Sequence, residues 1–162
     1  MRDELKKHKN EYLSLNLNNN INYEKFSMIS IVYNSTQIEG CSLDESDTRL
    51  LIENNITAKG KPLNDHLMVK DHYETFLFIK SQALKKRKLS VGFLTELTAK
   101  VMENTDGLVN TISGEFDTSK GDLRLAQVYV DHKYFPDFSK VPALLEKLCK
   151  TVNEKLDLVE GV

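Results

Sequence analysis

Residues 24–54 read EKFSMISIVYNSTQIEGCSLDESDTRLLIEN, and two helices joined by a glycine turn follow from them. From Glu24 to about Glu39 the apolar residues Phe26, Ile29, Val32 and Tyr33 recur at helical spacing. Gly40 stands where a helix C-terminus favours a residue able to take positive φ. Ser42-Leu43-Asp44-Glu45 then has the pattern of a capping box: the serine accepts a backbone N–H and Glu45 reaches back three residues. The second helix is predicted over Leu43 to about Asn54.

On the N-terminal side, residues 2–15 are charged with a weak apolar rhythm and predict a short helix, broken by Asn18-Asn19-Asn20. On the C-terminal side, residues 55–64 (NITAKGKPLN) form a loop with Gly60 and Pro62. A helix is predicted from Asp65 to about Lys86, with Val69, Tyr73, Phe76, Leu77, Ala83 and Leu84 as its stripe. Lys85-Lys86-Arg87-Lys88 suits the negative end of that helix, and reads as a solvated helix end rather than a nucleic-acid patch. Ser90 is a plausible cap for a helix to about Glu103, with Phe93, Leu94, Leu97 and Val101 inward.

The periodicity then changes. Residues 105–122 place Gly107, Gly114 and Gly121 among polar residues, which predicts a long irregular stretch, and loops of that length are often functional. Leu123 to Val130 favours strand, Asp131-His132-Lys133 turns the chain, Tyr134-Phe135 returns it, and Pro136 ends it. Ser139 is the expected cap of a last helix that tolerates Pro142 in its first turn and carries the stripe Val141, Leu144, Leu145, Leu148, Val152 and Leu156. The expected fold is mainly α with one β-hairpin. The chain stops at Glu160-Gly161-Val162, with Gly161 a possible cap and nothing after it, so a fragment is expected, a natural C-terminus being the alternative.

The 162 residues suffice for one domain, and 40% apolar with 28% charged residues is ordinary for a globular protein. A net charge of −2 gives no electrostatic case for a nucleic-acid binder. No apolar run approaches the ~18 residues of a membrane span. The polar start MRDELKKHKNEY lacks a signal peptide's apolar core, so the expected compartment is the cytoplasm. Cys41 and Cys149 have neither metal nor CxxC spacing and read as reduced thiols.

Most chemical motifs are missing. Gly60-Lys61 is followed by Pro62, and position 55 is Asn, so no phosphate-binding loop is present. His66 and His72 lie six apart, on different sides of a helix, and read as partly buried polar residues rather than metal ligands. No serine sits in G-x-S-x-G, and neither cysteine has a nearby base.

Glu39 is the informative residue. It falls in the last turn of a predicted helix, where backbone carbonyls disfavour a carboxylate by roughly 0.3–1 kcal/mol. Ser35 lies four residues earlier on the same face. A specific cationic partner is one reading; an exposed, screened glutamate is the other.

Tyr33-Asn34-Ser35-Thr36-Gln37-Ile38-Glu39-Gly40 resembles the inhibitory motif [S/T]-x-x-x-E-[G/N] of Fic-family protein adenylyltransferases, through Ser35, Glu39 and Gly40. The continuation is more specific. Leu43 to Asn54 is similar to the helix after that motif, and Gly60-Lys61-Pro62-Leu63, His66-Leu67 and His72-Tyr73-Glu74 resemble the connecting segment. Gly121-Asp122-Leu123-Arg124, Gln127-Val128-Tyr129-Val130 and Phe135-Pro136 resemble the family's flap hairpin. The resemblance runs from about residue 24 to 158. Cys41, Thr98 and the length of the 105–122 loop depart from it. The larger departure is that HxFx[D/E]GN[G/K]R, the family's active-site motif, is not in this sequence: His8, His66, His72 and His132 all have other neighbours.

The resemblance implies a single partial Fic-like helical bundle over 1–162. An N-terminal region (1–64) would carry the inhibitory helix at about 24–39, followed by scaffold helices (65–104), a loop and flap (105–136), and a helix (139–160) preceding the missing motif. It implies transfer of AMP from ATP, aided by Mg2+, to a Tyr, Thr or Ser hydroxyl of a target protein, with the motif histidine as base. It also implies that Glu39 pairs with the motif's last arginine, that Ser35 supports the inhibitory helix, and that Arg124, Leu125, Gln127, Val128, Tyr129 and Val130 dock the target. This chain alone is then expected to hold no catalytic residue, to bind no cofactor tightly, and to form a homo-oligomer. A non-catalytic, antitoxin-like inhibitor and a helical protein-interaction module are the alternatives.

Overall fold

The computed structural model describes residues 2–15 and 22–160. Among them, six α-helices run in the order α1 (Arg2–Ser14), α2 (Tyr23–Ile38), α3 (Glu45–Asn54), α4 (Leu63–Leu84), α5 (Val91–Val101) and α6 (Val141–Glu160). Between α5 and α6 lie two antiparallel hairpins, β1 (Leu108–Thr111) with β2 (Gly114–Asp117) and β3 (Tyr129–Val130) with β4 (Lys133–Tyr134). The mainly-α class with a β-hairpin is therefore the observed one. The Asn18-Asn19-Asn20 break and the Gly161 cap lie outside the described residues.

The core is built where α2, α3 and α4 meet. Val32, Cys41, Leu43, Leu51 and Val69 are buried together, with Ile52, Ala58, Met68 and Tyr73 packed around them. Full burial of such side chains stabilises by roughly 1.5–3 kcal/mol each. On α2 the buried face is Ile29, Val32 and Thr36, while Phe26, expected inward, is 48% exposed. Phe26 lies one turn before Ile29, at the rim of a shallow hollow with Lys25, Arg49 and Glu53, so the helix end overhangs its neighbours. Both cysteines are buried free thiols.

The cap of α3 sits two residues later than expected. Asp44 accepts the Asp47 N–H at 2.8 Å, and Asp47 reciprocates to the Asp44 N–H at 3.4 Å. Ser42 is otherwise engaged: its N–H, at 2.8 Å, and its hydroxyl both donate to the Asp65 carboxylate of α4. Asp44-x-x-Asp47 thus takes over the capping role, and Leu43 drops into the core. His66 is fully used. Its Nδ1 donates to the Pro62 carbonyl at 2.8 Å and its Nε2 accepts the Ala58 N–H at 2.9 Å, which pins the 55–62 loop.

Helix α4 ends two residues early, where Lys86 takes φ 53. Arg87 then ties this end to α5, donating to Glu96 at 2.8 Å with its guanidinium 4.2 Å from the Phe93 ring centroid. Ser90 caps α5 as expected, accepting the Phe93 N–H at 3.1 Å. The buried Asp71 of α4 holds the far end of α5 by accepting the Asn104 N–H at 2.9 Å and Asn104 Nδ2 at 2.6 Å.

The stretch expected to be irregular, 105–122, contains the β1–β2 hairpin, with Leu108 opposite Asp117 and Thr111 opposite Gly114. Its four-residue strands are too short and too polar to show a period of two. Conversely, the strand expected from Leu123 is confined to Tyr129–Val130. Leu123 to Ala126 instead runs back over the first hairpin, where the Thr111 hydroxyl, donating to the Gly114 carbonyl at 2.7 Å, also lies 3.3 Å from the Leu125 carbonyl. Before α6, Asp137 rather than Ser139 is the capping side chain, accepting the Ser139 N–H at 2.9 Å to form the one-turn 3-10 helix Phe138–Lys140. α6 is held to the segment before α5 by a reciprocal pair: Leu89 N–H donates to Asn153 Oδ1 at 2.9 Å, and Asn153 Nδ2 donates to the Leu89 carbonyl at 2.8 Å.

Candidate functional site

Glu39 is the C-cap of α2, and Gly40 follows at φ 89, the left-handed conformation that glycine supplies without strain. The turn is locked from both sides. Cys41 N–H returns to the Thr36 carbonyl at 3.0 Å, and Gln37 Nε2 donates to the carbonyls of Cys41 and Leu43, both at 2.7 Å. Gln37 is a positioning residue that the sequence reading passed over, because its partners lie beyond the turn.

Held this way, the exposed Glu39 side chain borders a cleft of about 190 Å3 with Met68, His72, Met102, Thr105 and Asp106. It forms no ion pair with the described residues. One turn earlier, Ser35 is half-buried and lines a second hollow, of about 140 Å3, with Ile31, His72, Thr75, Phe76 and Val101. His72 borders both hollows. His72 Nδ1 donates to the Met68 carbonyl at 2.9 Å. The Ser35 hollow holds an anomaly. The Thr75 hydroxyl is buried without a hydrogen-bond partner, a state that costs about 1–3 kcal/mol.

The structure thus places Glu39 at one hollow with His72 and Asp106, and Ser35 at another with His72 and Thr75. Thr75 and Asp106 carried no signal in the sequence: a threonine in a helix stripe and an aspartate before glycine are ordinary. Among the described residues no group of three or more His, Cys, Asp or Glu could hold a metal ion, and the sequence supplies no phosphate-binding nest.

The six flap residues separate into two sets. Arg124 donates to the carbonyls of Ala126 and Pro136, and Gln127 Nε2 donates to the Phe135 carbonyl at 2.7 Å. These two side chains brace the base of the β3–β4 hairpin, and the Leu125 carbonyl lies 3.3 Å from the Thr111 hydroxyl. Val128, Tyr129 and Val130 are exposed, at 38, 66 and 58%. Phe135 N–H donates to the Val128 carbonyl at 3.0 Å, and Tyr129 faces Tyr134 with ring centroids 6.0 Å apart. Alternation along an antiparallel ladder then turns the Tyr129 N–H and C=O to the outer edge. Asp131 makes the turn at φ 52. No hydrogen bond or ion pair joins β3–β4 to the residues of the two hollows.

No family model matches the chain. Over 124 residues it is 24% identical to the protein adenylyltransferase Fic of Drosophila erecta. The match covers 76% of this chain and 23% of that protein, so the chain spans under a quarter of the relative's length. The similarity supports a distant relationship to Fic proteins. No helix among the described residues is long and apolar enough to cross a membrane.

Proposed function

We propose that this chain is the regulatory and target-docking part of a Fic-type protein adenylyltransferase, with Glu39 as its brake. The observation that carries the reading is the state of Glu39. Its carboxylate is exposed at the negative end of α2, on a turn that Gly40 and Gln37 fix, beside a cleft, with no cation paired to it among the described residues. A carboxylate so placed is held for a partner that these residues do not include. The reaction regulated is transfer of AMP from ATP to a protein hydroxyl, with pyrophosphate leaving. The base and the phosphate-binding groups come from the motif HxFx[D/E]GN[G/K]R, and its last arginine is the partner of Glu39. The residues of this chain restrain and position. Glu39 keeps the arginine from the γ-phosphate, Ser35 seats the helix, and the outer edge of β3 pairs with an extended target segment.

The test is AMP incorporation from labelled ATP by the full-length polypeptide. Glu39→Gly should raise it roughly tenfold to a hundredfold, the range set by losing a charge-assisted hydrogen bond of about 1.5–3 kcal/mol. Glu39→Gln should activate partially and Ser35→Ala less, while residues 1–162 alone should incorporate none. A folded Glu39→Gly variant no faster than wild type would leave Glu39 a solvated surface residue and end this reading.

A further inference from the structure

Glu39 lies at an exposed helix end, so its carboxylate is placed only as well as the backbone beside it. That backbone continues through Cys41-Ser42-Leu43, the link from α2 to α3. The three carbonyls of the link are all taken. Gln37 Nε2 donates to those of Cys41 and Leu43, both at 2.7 Å, and Lys61 Nζ donates to that of Ser42 at 2.6 Å. The Ser42 N–H, at 2.8 Å, and the Ser42 hydroxyl donate to one oxygen of the Asp65 carboxylate. Every polar atom of Ser42 is thus engaged by two side chains, 19 and 23 positions downstream. Both are placed in advance. Asp65 stands in the first turn of α4, and Lys61 stands in the loop that buried His66 pins at Ala58 and Pro62. Cys41 and Leu43, on either side, are buried in the core, whereas Ser42 is exposed. Exposed hydrogen bonds compete with water and add little net stability. These bonds do fix the course of the chain directly after Gly40.

We propose that Ser42 is a positioning residue for Glu39, clasped by Lys61 and Asp65 so that the end of α2 is fixed relative to α4. This rests on the reading of Glu39 as a brake and adds the device that aims it. Two constraints meet at one turn: Gln37 ties it from within α2, and the clasp ties it to α4. Between them lies Gly40, the residue of the turn with the freest backbone, at φ 89. With the clasp open, rotation at Gly40 moves the Glu39 carboxylate out of line with its cationic partner. The three bonds lie at the surface, so they can open while the core of Val32, Leu43, Leu51 and Val69 stays closed.

Ser42→Ala tests this in the full-length polypeptide, at a temperature where the variants are folded. It removes one of the three bonds and should raise AMP incorporation roughly twofold to tenfold, the worth of one exposed hydrogen bond. Ser42→Thr keeps the hydroxyl and should stay near the wild-type rate. Glu39→Gly with Ser42→Ala should be no faster than Glu39→Gly alone, because the clasp acts through Glu39. Deuterium exchange gives a reading apart from activity. Ser42→Ala should speed exchange of the Cys41 amide, which donates to the Thr36 carbonyl, and leave amides inside α4 unchanged. If Glu39→Gly activates while Ser42→Ala stays at or below wild type, the clasp only supports the fold, and this inference falls while the brake stands. A further rise in the double variant, or an unchanged Cys41 amide, would overturn it equally. If Glu39→Gly does not activate, both fall.

Discussion

A Cβ on Gly121 would fall 2.0 Å from the Thr95 carbonyl oxygen. The chain entering the second hairpin therefore crosses α5 at a distance that only glycine permits. Gly121 also takes φ 78, so the conformation and the approach demand glycine independently.

Gly121→Ala should accordingly cost about 2–4 kcal/mol, because the clash is with backbone that cannot rotate away. Urea unfolding measures it. A loss below about 0.5 kcal/mol, the size of an ordinary surface change, would mean that the crossing relaxes easily.

Asp71 and Asn104 should behave as one unit. Asp71→Asn turns an acceptor of two N–H groups into a side chain that presents its own donors to them, at an expected cost of about 2–3 kcal/mol. Asn104→Ala removes one bond of the pair, and the double variant should cost less than the two singles together. Thermal unfolding of the three variants decides; strict additivity would show the pair to be uncoupled.

Acid should weaken the contact between Ser42 and α4. The Asp65 carboxyl is held below the usual aspartate value of 3.8, first by the Ser42 hydroxyl and then by the Ser42 N–H. With the folded pKa depressed, its stabilisation is present above the unfolded value near 3.9 and is lost as pH falls through the folded one. Ser42→Ala should lower stability near neutral pH, and the gap to wild type should close below about pH 4. A gap that stays constant down to about pH 2 would contradict the assignment of Ser42 as the main cause.

The outer edge of β3 can be tested at Tyr129. Proline there removes an outward N–H and leaves the bond from Phe135 N–H to the Val128 carbonyl intact. In the full-length polypeptide, target labelling should fall roughly threefold to tenfold, the worth of one hydrogen bond, with nucleotide binding unchanged. Equal loss of both, read by labelling and by ATP titration, would mean that the edge does not dock the target.

Helices were legible where one face repeats: Ile29 and Val32 on α2, and Ser90 as the cap of α5. Capping positions shifted where two candidates competed. Ser42 lost to Asp44 because a residue 23 positions away claims its hydroxyl, and no local pattern announces that. The β1–β2 hairpin escaped because its strands are only four residues long: apolar Leu108 lies on the exposed face of β1, and the buried residues of β2, Phe116 and Asp117, are adjacent rather than alternating. At the candidate site, Ser35, Glu39 and Gly40 were legible as a local motif. Asp106 and Thr75 join them only through the packing of α2, α4 and α5, over 30 residues or more of sequence.

The reciprocal bonds between Leu89 and Asn153 have a consequence for the order of assembly. The packing of α2 with α3 and of α4 with α5 joins neighbours along the chain, whereas this pair closes a span of 64 residues. Contacts of long sequence separation form late, since the intervening chain must first be organised. Docking of α6 is thus expected to be the last folding event and the first to reverse. The Leu89 amide, whose acceptor is a side chain of α6, becomes its reporter. Its exchange with solvent deuterium should follow the detachment of that one helix, faster than the exchange of amides inside α4, which wait for the whole core to open.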